Sequence, residues 1–293
     1  MNLKRLSSMI KRQVTSLGAV IYYNAITPKS GLNKNAREQE VVVSMTSFPA
    51  RFKTIHLAIR SLMMQSYKPD RIILYLDDTV KESDVTPQMR ELEKEGLEIR
   101  KRPIDMKVHK KYYYAMTEFP DAIIITADDD VMYRKNLIEI LIETHKKYPN
   151  AICSKRVHRM LLDENDNLLP YNDWDIECSN ISEPSMELCA TGVGGVLYPP
   201  NILCDTIFDV DLFLKLSPKA DDLWLKYIEV ISNVPVVRAP GKYNLSYVIQ
   251  SVQELGLRNS NVTENQNDNF LERLQAYFKI DWKKVFKDNQ YRE

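Results

Sequence analysis

Asp128, Asp129 and Asp130 stand together in IIITADDDVMY (Ile123–Tyr133), with no lysine or arginine before Arg134. Three adjacent carboxylates repel one another and raise each other's pKa. A turn, a helix N-terminus or solvent can offset that repulsion. A divalent cation can do so too, because it takes carboxylate oxygens as ligands. Asp128 and Asp130 would then share the ion, and Asp129 would orient a neighbouring group. A DxD directly after a buried strand, with an apolar helix following, points to metal or substrate binding; the plain alternative is a solvated acidic turn. Two further polar clusters follow apolar runs: TSFPAR (Thr46–Arg51) and Asp77–Asp78.

These clusters need elements to hold them. Val41–Met45, Arg71–Leu76, Leu97–Lys101 and Ala122–Thr126 read as strands, and Ala151–Cys153 begins another. Thr54–Gln65 carries Ile55, Ala58, Ile59, Leu62 and Met63 at helical spacing. Thr86–Pro87 is an N-cap with proline at N1, and Gly96 closes that helix. Val108–Glu118 and Asn136–His145 complete the alternation. Alternating strands and helices imply βαβ units and a mainly parallel sheet. Ligands bind such sheets beyond the carboxyl ends of the strands, where all three clusters lie.

The second half is less regular. Asp163–Glu187 is polar and reads as a loop or lid. Gly192, Gly194 and Gly195 are three of only eight glycines, which marks a tight turn or a close backbone approach. Leu212–Tyr227 is helix-like but broken by SPKADD, where Ser217–Pro218 can cap a helix beginning near Asp221 and Asp222. Asn267 or Asp268 can cap a last helix carrying Phe270, Leu271, Leu274 and Phe278. The domains expected are a basic helical extension and linker (1–40), a nucleotide-binding half (41–150), a second half of the same domain (151–250) and a C-terminal helical segment (251–293).

The chain has 293 residues, 44% of them hydrophobic and 27% charged, the composition of an ordinary globular protein. Its 40 basic residues balance its 40 acidic ones, which argues against general nucleic-acid binding. Cys153, Cys178, Cys189 and Cys204 form no CxxC pair, so neither a zinc site nor a disulfide framework is indicated. A cytoplasmic setting is the default, and the sequons at Asn180, Asn244 and Asn261 then carry no information. Lys4, Arg5, Lys11 and Arg12 alternate with apolar residues. A helix of that kind can lie on the anionic inner face of a membrane, or simply pack on the domain. Leu17–Ile26 is too short to span a bilayer.

In the order VVVSMTSFPAR, YLDD, IIITADDD, ATGVGGVLYPP and KADDLW, over Val41 to Ile249, the chain resembles nucleotide-sugar glycosyltransferases of the GT-A fold, most like the large family-2 group. The resemblance implies a Rossmann-like α/β domain with a mainly parallel sheet. It implies a metal-dependent enzyme that moves a sugar from a nucleoside-diphosphate sugar to a hydroxyl of a glycan or glycolipid acceptor. That enzyme would be inverting and would build a surface polysaccharide. Thr46, Ser47 and Arg51 would line the nucleotide pocket and Asp77 would contact base or ribose. Asp128 and Asp130 would be the DxD pair holding Mn²⁺ or Mg²⁺, with Asp129 beside them. Such an ion offsets the charge on a departing diphosphate. Asp222, or Asp221, would be the general base on the acceptor hydroxyl. Gly194 and Gly195 would lie beside the acceptor sugar, with Trp174 and Trp224 stacking on it. Lys107, His109, Lys110 and Lys111 would face the diphosphate or form a solvated helix face. Many GT-A enzymes add a late histidine to the metal shell, but no histidine follows His158. Asp268, water or phosphate oxygens would substitute.

Three other readings remain. A sugar-nucleotide pyrophosphorylase shares a related core, although TSFPAR lacks the glycines of its GxGxR loop. A phosphohydrolase with DxDx[TV] is not matched, because Val131 and Met132 follow the triplet. A scaffold that binds nucleotide or sugar without turnover is the non-enzyme alternative.

Overall fold

The structure is a computed structural model that describes residues 15–26, 28, 31–241, 247–249, 251 and 265–287. The basic positions Lys4 to Arg12 and the sequons at Asn244 and Asn261 lie outside those residues.

Seven strands form the central sheet: β1 (Val41–Thr46), β2 (Arg71–Asp77), β3 (Leu97–Arg102), β4 (Ile123–Thr126), β6 (Ile152–Ser154), β9 (Val196–Tyr198) and β10 (Val236–Arg238). Two short pairs lie outside it, β5 (Val131–Met132) with β11 (Tyr247–Val248), and β7 (Val157–Arg159) with β8 (Leu188–Ala190). The sheet order is β10-β6-β9-β4-β1-β2-β3, and only β9 runs antiparallel to its neighbours. The sheet therefore takes strands from both halves of the chain.

VVVSMT and IIIT are buried along their length because helices cover both faces of the sheet. Alternate residues serve opposite layers. Val41, Val43, Met45, Ile123 and Ile125 meet helices α2 (Phe52–Met63), α3 (Pro87–Lys94) and α5 (Leu137–Lys147). Val42, Ile73, Tyr75 and Ile124 meet α4 (Lys110–Glu118), α6 (Val210–Leu216), α7 (Asp221–Ile231), α8 (Gln266–Phe278) and α9 (Trp282–Lys287). The expected start of α3 is present: Thr86 Oγ1 accepts from Met89 N, and Gly96 ends it at φ +110°.

Residues 15–25 form α1. Its Ala19 and Tyr23 are buried, Ser16 Oγ donates to Val248 O at 2.8 Å, and Arg60 holds the Tyr23 carbonyl at 2.8 Å. The described part of the extension thus packs on the domain. No helix among the described residues is long and apolar enough to cross a membrane.

Several local expectations change. Neither Asn267 nor Asp268 caps the late helix, which starts at Gln266; Asp268 instead accepts from Tyr171 N at 2.7 Å. Ser217 does not cap α7 either, since Ala220 holds that position and the Ser217 hydroxyl bonds Ala220 O at 2.7 Å. Trp174 and Trp224 are both core, at 4% and 0% exposure, so neither can stack on a sugar. Trp174 Nε1 is already spent on Leu169 O at 2.9 Å. His158 is buried, and its Nδ1 accepts from Glu177 N at 3.0 Å.

Candidate functional site

The strand order turns at β1. β2 and β3 follow on one side and β4 lies on the other, so the crevice between the carboxyl ends of β1 and β4 is a topological switch point. Because β9 is antiparallel, the Gly192–Gly194 turn before it opens on that same edge. So do the residues that follow β6 and β10.

Asp128 lies in the crevice. Its amide donates to the Tyr133 hydroxyl at 2.7 Å, which fixes the loop after β4. Lys111 Nζ donates to Asp128 Oδ1 at 2.8 Å and forms an ion pair with Asp221 Oδ2 at 3.0 Å. Asp222 Oδ1 accepts from Gly192 N at 3.0 Å. Three carboxylates from two distant segments thus surround one ammonium. Burial disfavours the charge on Lys111, but Asp128, Asp221 and Asp222 outweigh burial and hold its pKa well above the usual value. Desolvation, with Asp221 next, pushes Asp222 up to about 8. Gly192 completes the arrangement: a Cβ there would lie 2.9 Å from both Asp128 Oδ1 and Lys111 Nζ.

Lys111 is placed by its own strand and helix. Ser44, a polar position in an otherwise apolar β1, donates to Lys111 O at 2.5 Å and pins the first turn of α4. Behind it, His109 Nε2 donates to Ser217 O at 2.8 Å, and its Nδ1 accepts from the Tyr112 hydroxyl at 3.0 Å. His109 therefore joins the start of α4 to the approach of α7. Burial lowers its pKa to about 4, which keeps it neutral.

Asp129 turns the other way. Ser47 Oγ donates to its Oδ2 at 2.6 Å and Arg51 bonds its Oδ1. Arg51 also reaches Asp130 at 3.3 Å. Burial opposes the charge on Arg51, and Asp129 and Asp130 hold its pKa above the usual value. Asp129 is 5% exposed with both oxygens engaged, and Ser47 and Arg51 are engaged with it. These three residues tie the loops after β1 and β4 together.

The remaining expected residues divide as follows. Thr46 turns its hydroxyl to Tyr75 O at 2.9 Å. Asp77 pairs with Lys110 at 2.6 Å on the rim. Lys107 is the wrong lysine of its cluster: it is exposed, has φ +52° and pairs with Asp105, whereas Lys110 and Lys111 point inward. Gly194 and Gly195 meet protein, not an open cleft; a Cβ would lie 2.6 Å from Arg156 N in one case and 2.9 Å from Leu137 in the other. Of Lys107, His109, Lys110 and Lys111, Lys111 is the one paired with Asp128 and Asp221. The signal was KKYYY, since inward-facing tyrosines at 112 and 114 carry the neighbouring lysines into the interior.

The donor set for a cation is thin on the protein side. Among the described residues, no three His, Cys, Asp or Glu side chains lie where they could hold an ion together. Asp130 is committed to Arg51 and Asp128 to Lys111. One or two carboxylates fit Mg²⁺ or Mn²⁺ only when substrate phosphates supply the other oxygens.

No family model and no curated protein matches the chain. Solved structures similar to it include a CMP:2-keto-3-deoxy-manno-octonic acid synthetase complexed with CTP, at 12% identity and a TM-score of 0.42 over 77% of this chain and 100% of that one. A UTP-bound UGPase from Acinetobacter baumannii is 13% identical, with a TM-score of 0.40 over 80% of this chain and 99% of that one. A 4-diphosphocytidyl-2C-methyl-D-erythritol synthase is 8% identical, with a TM-score of 0.43 over 75% and 97%. The likeness is one of fold. Their names are those of a synthetase, a UGPase and a synthase, none of them a glycosyltransferase, and the enzyme type expected from the sequence resemblance is not carried forward. The chain has a mixed α/β, Rossmann-like fold with a mostly parallel seven-stranded sheet.

Proposed function

We propose that this chain is a nucleotide-binding transferase of the sugar-nucleotide pyrophosphorylase kind, acting at the phosphate chain of a nucleotide or nucleotide sugar. The observation that carries the reading is the convergence of Asp128 and Asp221 on Lys111 at the switch-point edge, with Asp222 beside them on the Gly192 amide. With Asp222 holding its proton near neutrality, the Asp128 and Asp221 carboxylates still exceed one ammonium, so the crevice favours a further cation, and a nucleotide arriving with Mg²⁺ brings one. Asp128 would hold that ion together with the phosphate oxygens. Bound there, it would offset charge on the phosphate chain as a Lewis acid.

The chemistry suits the residues. An anionic phosphate oxygen of one substrate attacks the α-phosphorus of the nucleotide. A new P–O bond forms, the bond to the bridging oxygen breaks, and pyrophosphate leaves with the electron pair. Such a nucleophile is already ionised and needs no base, so an Asp222 that retains its proton near neutrality is compatible with turnover. Catalysis then rests on positioning and charge. Lys111 would be the cation nearest the reacting phosphates, with Lys110 next to it in sequence and paired with Asp77 and Asp105. The loop after β1 has no glycines to wrap phosphate with its backbone, so these side chains must do that work.

The test is a thermal-shift panel of nucleoside triphosphates and nucleotide sugars with and without Mg²⁺, followed by a pyrophosphate-release assay with the best ligand and sugar phosphates. A ligand that binds the native state raises its stability by mass action. A nucleotide is expected to raise Tm more with Mg²⁺ than without. If no nucleotide shifts Tm, or if the best one never yields pyrophosphate, the reading fails.

A further inference from the structure

A second pocket opens on the same sheet edge, beyond the carboxyl ends of β6 and β10. Its volume is about 260 Å³ and its walls include Lys155, Arg156 and Arg238, with Glu177 as the only acid. That volume suits a small metabolite or one arm of a larger one.

The charges are poorly balanced. Arg156 pairs with Glu177 at 3.2 Å. Lys155 bonds only neutral carbonyls, those of Ala239, Pro240 and Gly241. Arg238 likewise bonds the carbonyls of Ser179, Ala239 and Gly241, at 3.1 to 3.4 Å, and its buried Nε has no hydrogen-bond partner among the described residues. Among the described residues neither Lys155 nor Arg238 has an ion pair. Burial, and then Arg238, lowers the Lys155 pKa to about 8, the mark of a cation short of counter-charge. Carbonyls orient these groups without neutralising them, so an anion entering the pocket gains two unpaired positive charges.

The pocket also borders the crevice. Arg156 Nη1 donates to Thr191 Oγ1 at 3.0 Å, and Thr191 N donates to Arg156 O at 3.1 Å. The next residue, Gly192, holds Asp222. A single turn of chain therefore has the basic pocket on one side and the acidic cluster on the other.

We infer that the Lys155–Arg156–Arg238 pocket binds a phosphate group, that of the second substrate in the reaction. As an anion site it stands on its own geometry; as the second-substrate site it rests on the nucleotide-transfer reading. Placed there, a phosphorylated substrate would be anchored beside the Thr191–Gly192 turn. The acidic crevice would remain for the nucleotide and its cation.

The probe is inorganic phosphate, titrated in thermal-shift experiments at fixed ionic strength against chloride, with acetate as a second anion. Phosphate is expected to stabilise the protein saturably and more than acetate. Lys155→Met, which loses only carbonyl contacts, is expected to weaken that effect about tenfold, as for one lost bond to a charged group. Glu177→Gln removes the opposing charge and is expected to tighten phosphate roughly threefold, within the range for a partly exposed pair. A purely structural role for these residues would not produce a gain. Equal responses in wild type, Lys155→Met and Glu177→Gln would overturn the site, as would a larger shift with acetate. The nucleotide panel on the same samples separates the two claims. Nucleotide binding without the phosphate response sinks only the pocket. The reverse result sinks the nucleotide reading and the second-substrate role with it, and leaves the anion site standing.

Discussion

Asp128 and Asp129 are neighbours in sequence and belong to different constructions. Asp129 sits in a closed knot, where Ser47 and Arg51 use both of its oxygens and solvent is excluded. Asp128 sits in an open cluster, where one lysine faces three carboxylates next to a glycine. The knot engages both Asp129 oxygens from within and ties two loops together. The cluster carries charge that a ligand can complete. The lesson is that an acidic motif is read by how many of its oxygens the protein itself has already used.

The largest effect should come from breaking the knot. Arg51→Leu strands Asp129 in the interior and is expected to cost about 3–5 kcal/mol of stability, as for removal of one partner from a buried pair. Asp128→Asn should instead leave stability within about 1 kcal/mol, because it relieves like-charge repulsion. It should abolish the extra Tm shift that Mg²⁺ gives with nucleotide. Denaturant unfolding of both variants checks this, and equal destabilisation would erase the distinction between the two regions.

Acid should attack the back wall of the open cluster. His109 is neutral and buried with a pKa of about 4, below the ordinary 6.5. A histidine depressed in the folded state contributes stability that is complete above 6.5 and lost as pH falls toward 4. The loss is about 3 kcal/mol for a shift of this size. Urea midpoints between pH 7 and 4 should therefore fall less steeply in His109→Gln. Parallel slopes in the two proteins would exclude this role.

A smaller change sharpens the cluster itself. Gly192→Ala puts a methyl group against Asp128 and Lys111, and a stability loss of about 1–2 kcal/mol is expected from overpacking. The nucleotide-dependent Tm shift should fall further than that loss explains. Full nucleotide response in this variant would show that the approach at Gly192 is not part of the site. The smallest effect belongs to Lys107→Ala. Its exposed pair with Asp105 is worth less than about 0.5 kcal/mol, and nucleotide binding should not change.

Much of the fold was legible from pattern. Apolar runs of strand length gave β1, β2 and β4, and Thr86–Pro87 with Gly96 gave both ends of α3. The break at SPKADD separates α6 from α7 as the composition suggested. Caps were less legible. Asp268 is a good capping type, yet it was claimed by the distant Tyr171 amide. Trp174 and Trp224 carry no local mark that distinguishes a sugar platform from core, and only the layers around them settle it.

The site shows the same division. The sequence by itself placed the acidic residues at strand ends and helix starts, because strand length and helix breakers are local properties. It could not say which aspartate of the triplet faces the crevice. That depended on Arg51 reaching inward from one loop and Lys111 from a helix, contacts 78 and 17 residues away along the chain. Nor could it show that Lys155 and Arg238 share a pocket, since β6 and β10 become neighbours only in the sheet. Electrostatic balance is a sum over groups brought together by the fold. The chain alone supplies the charges, and the tertiary structure decides which of them are left over.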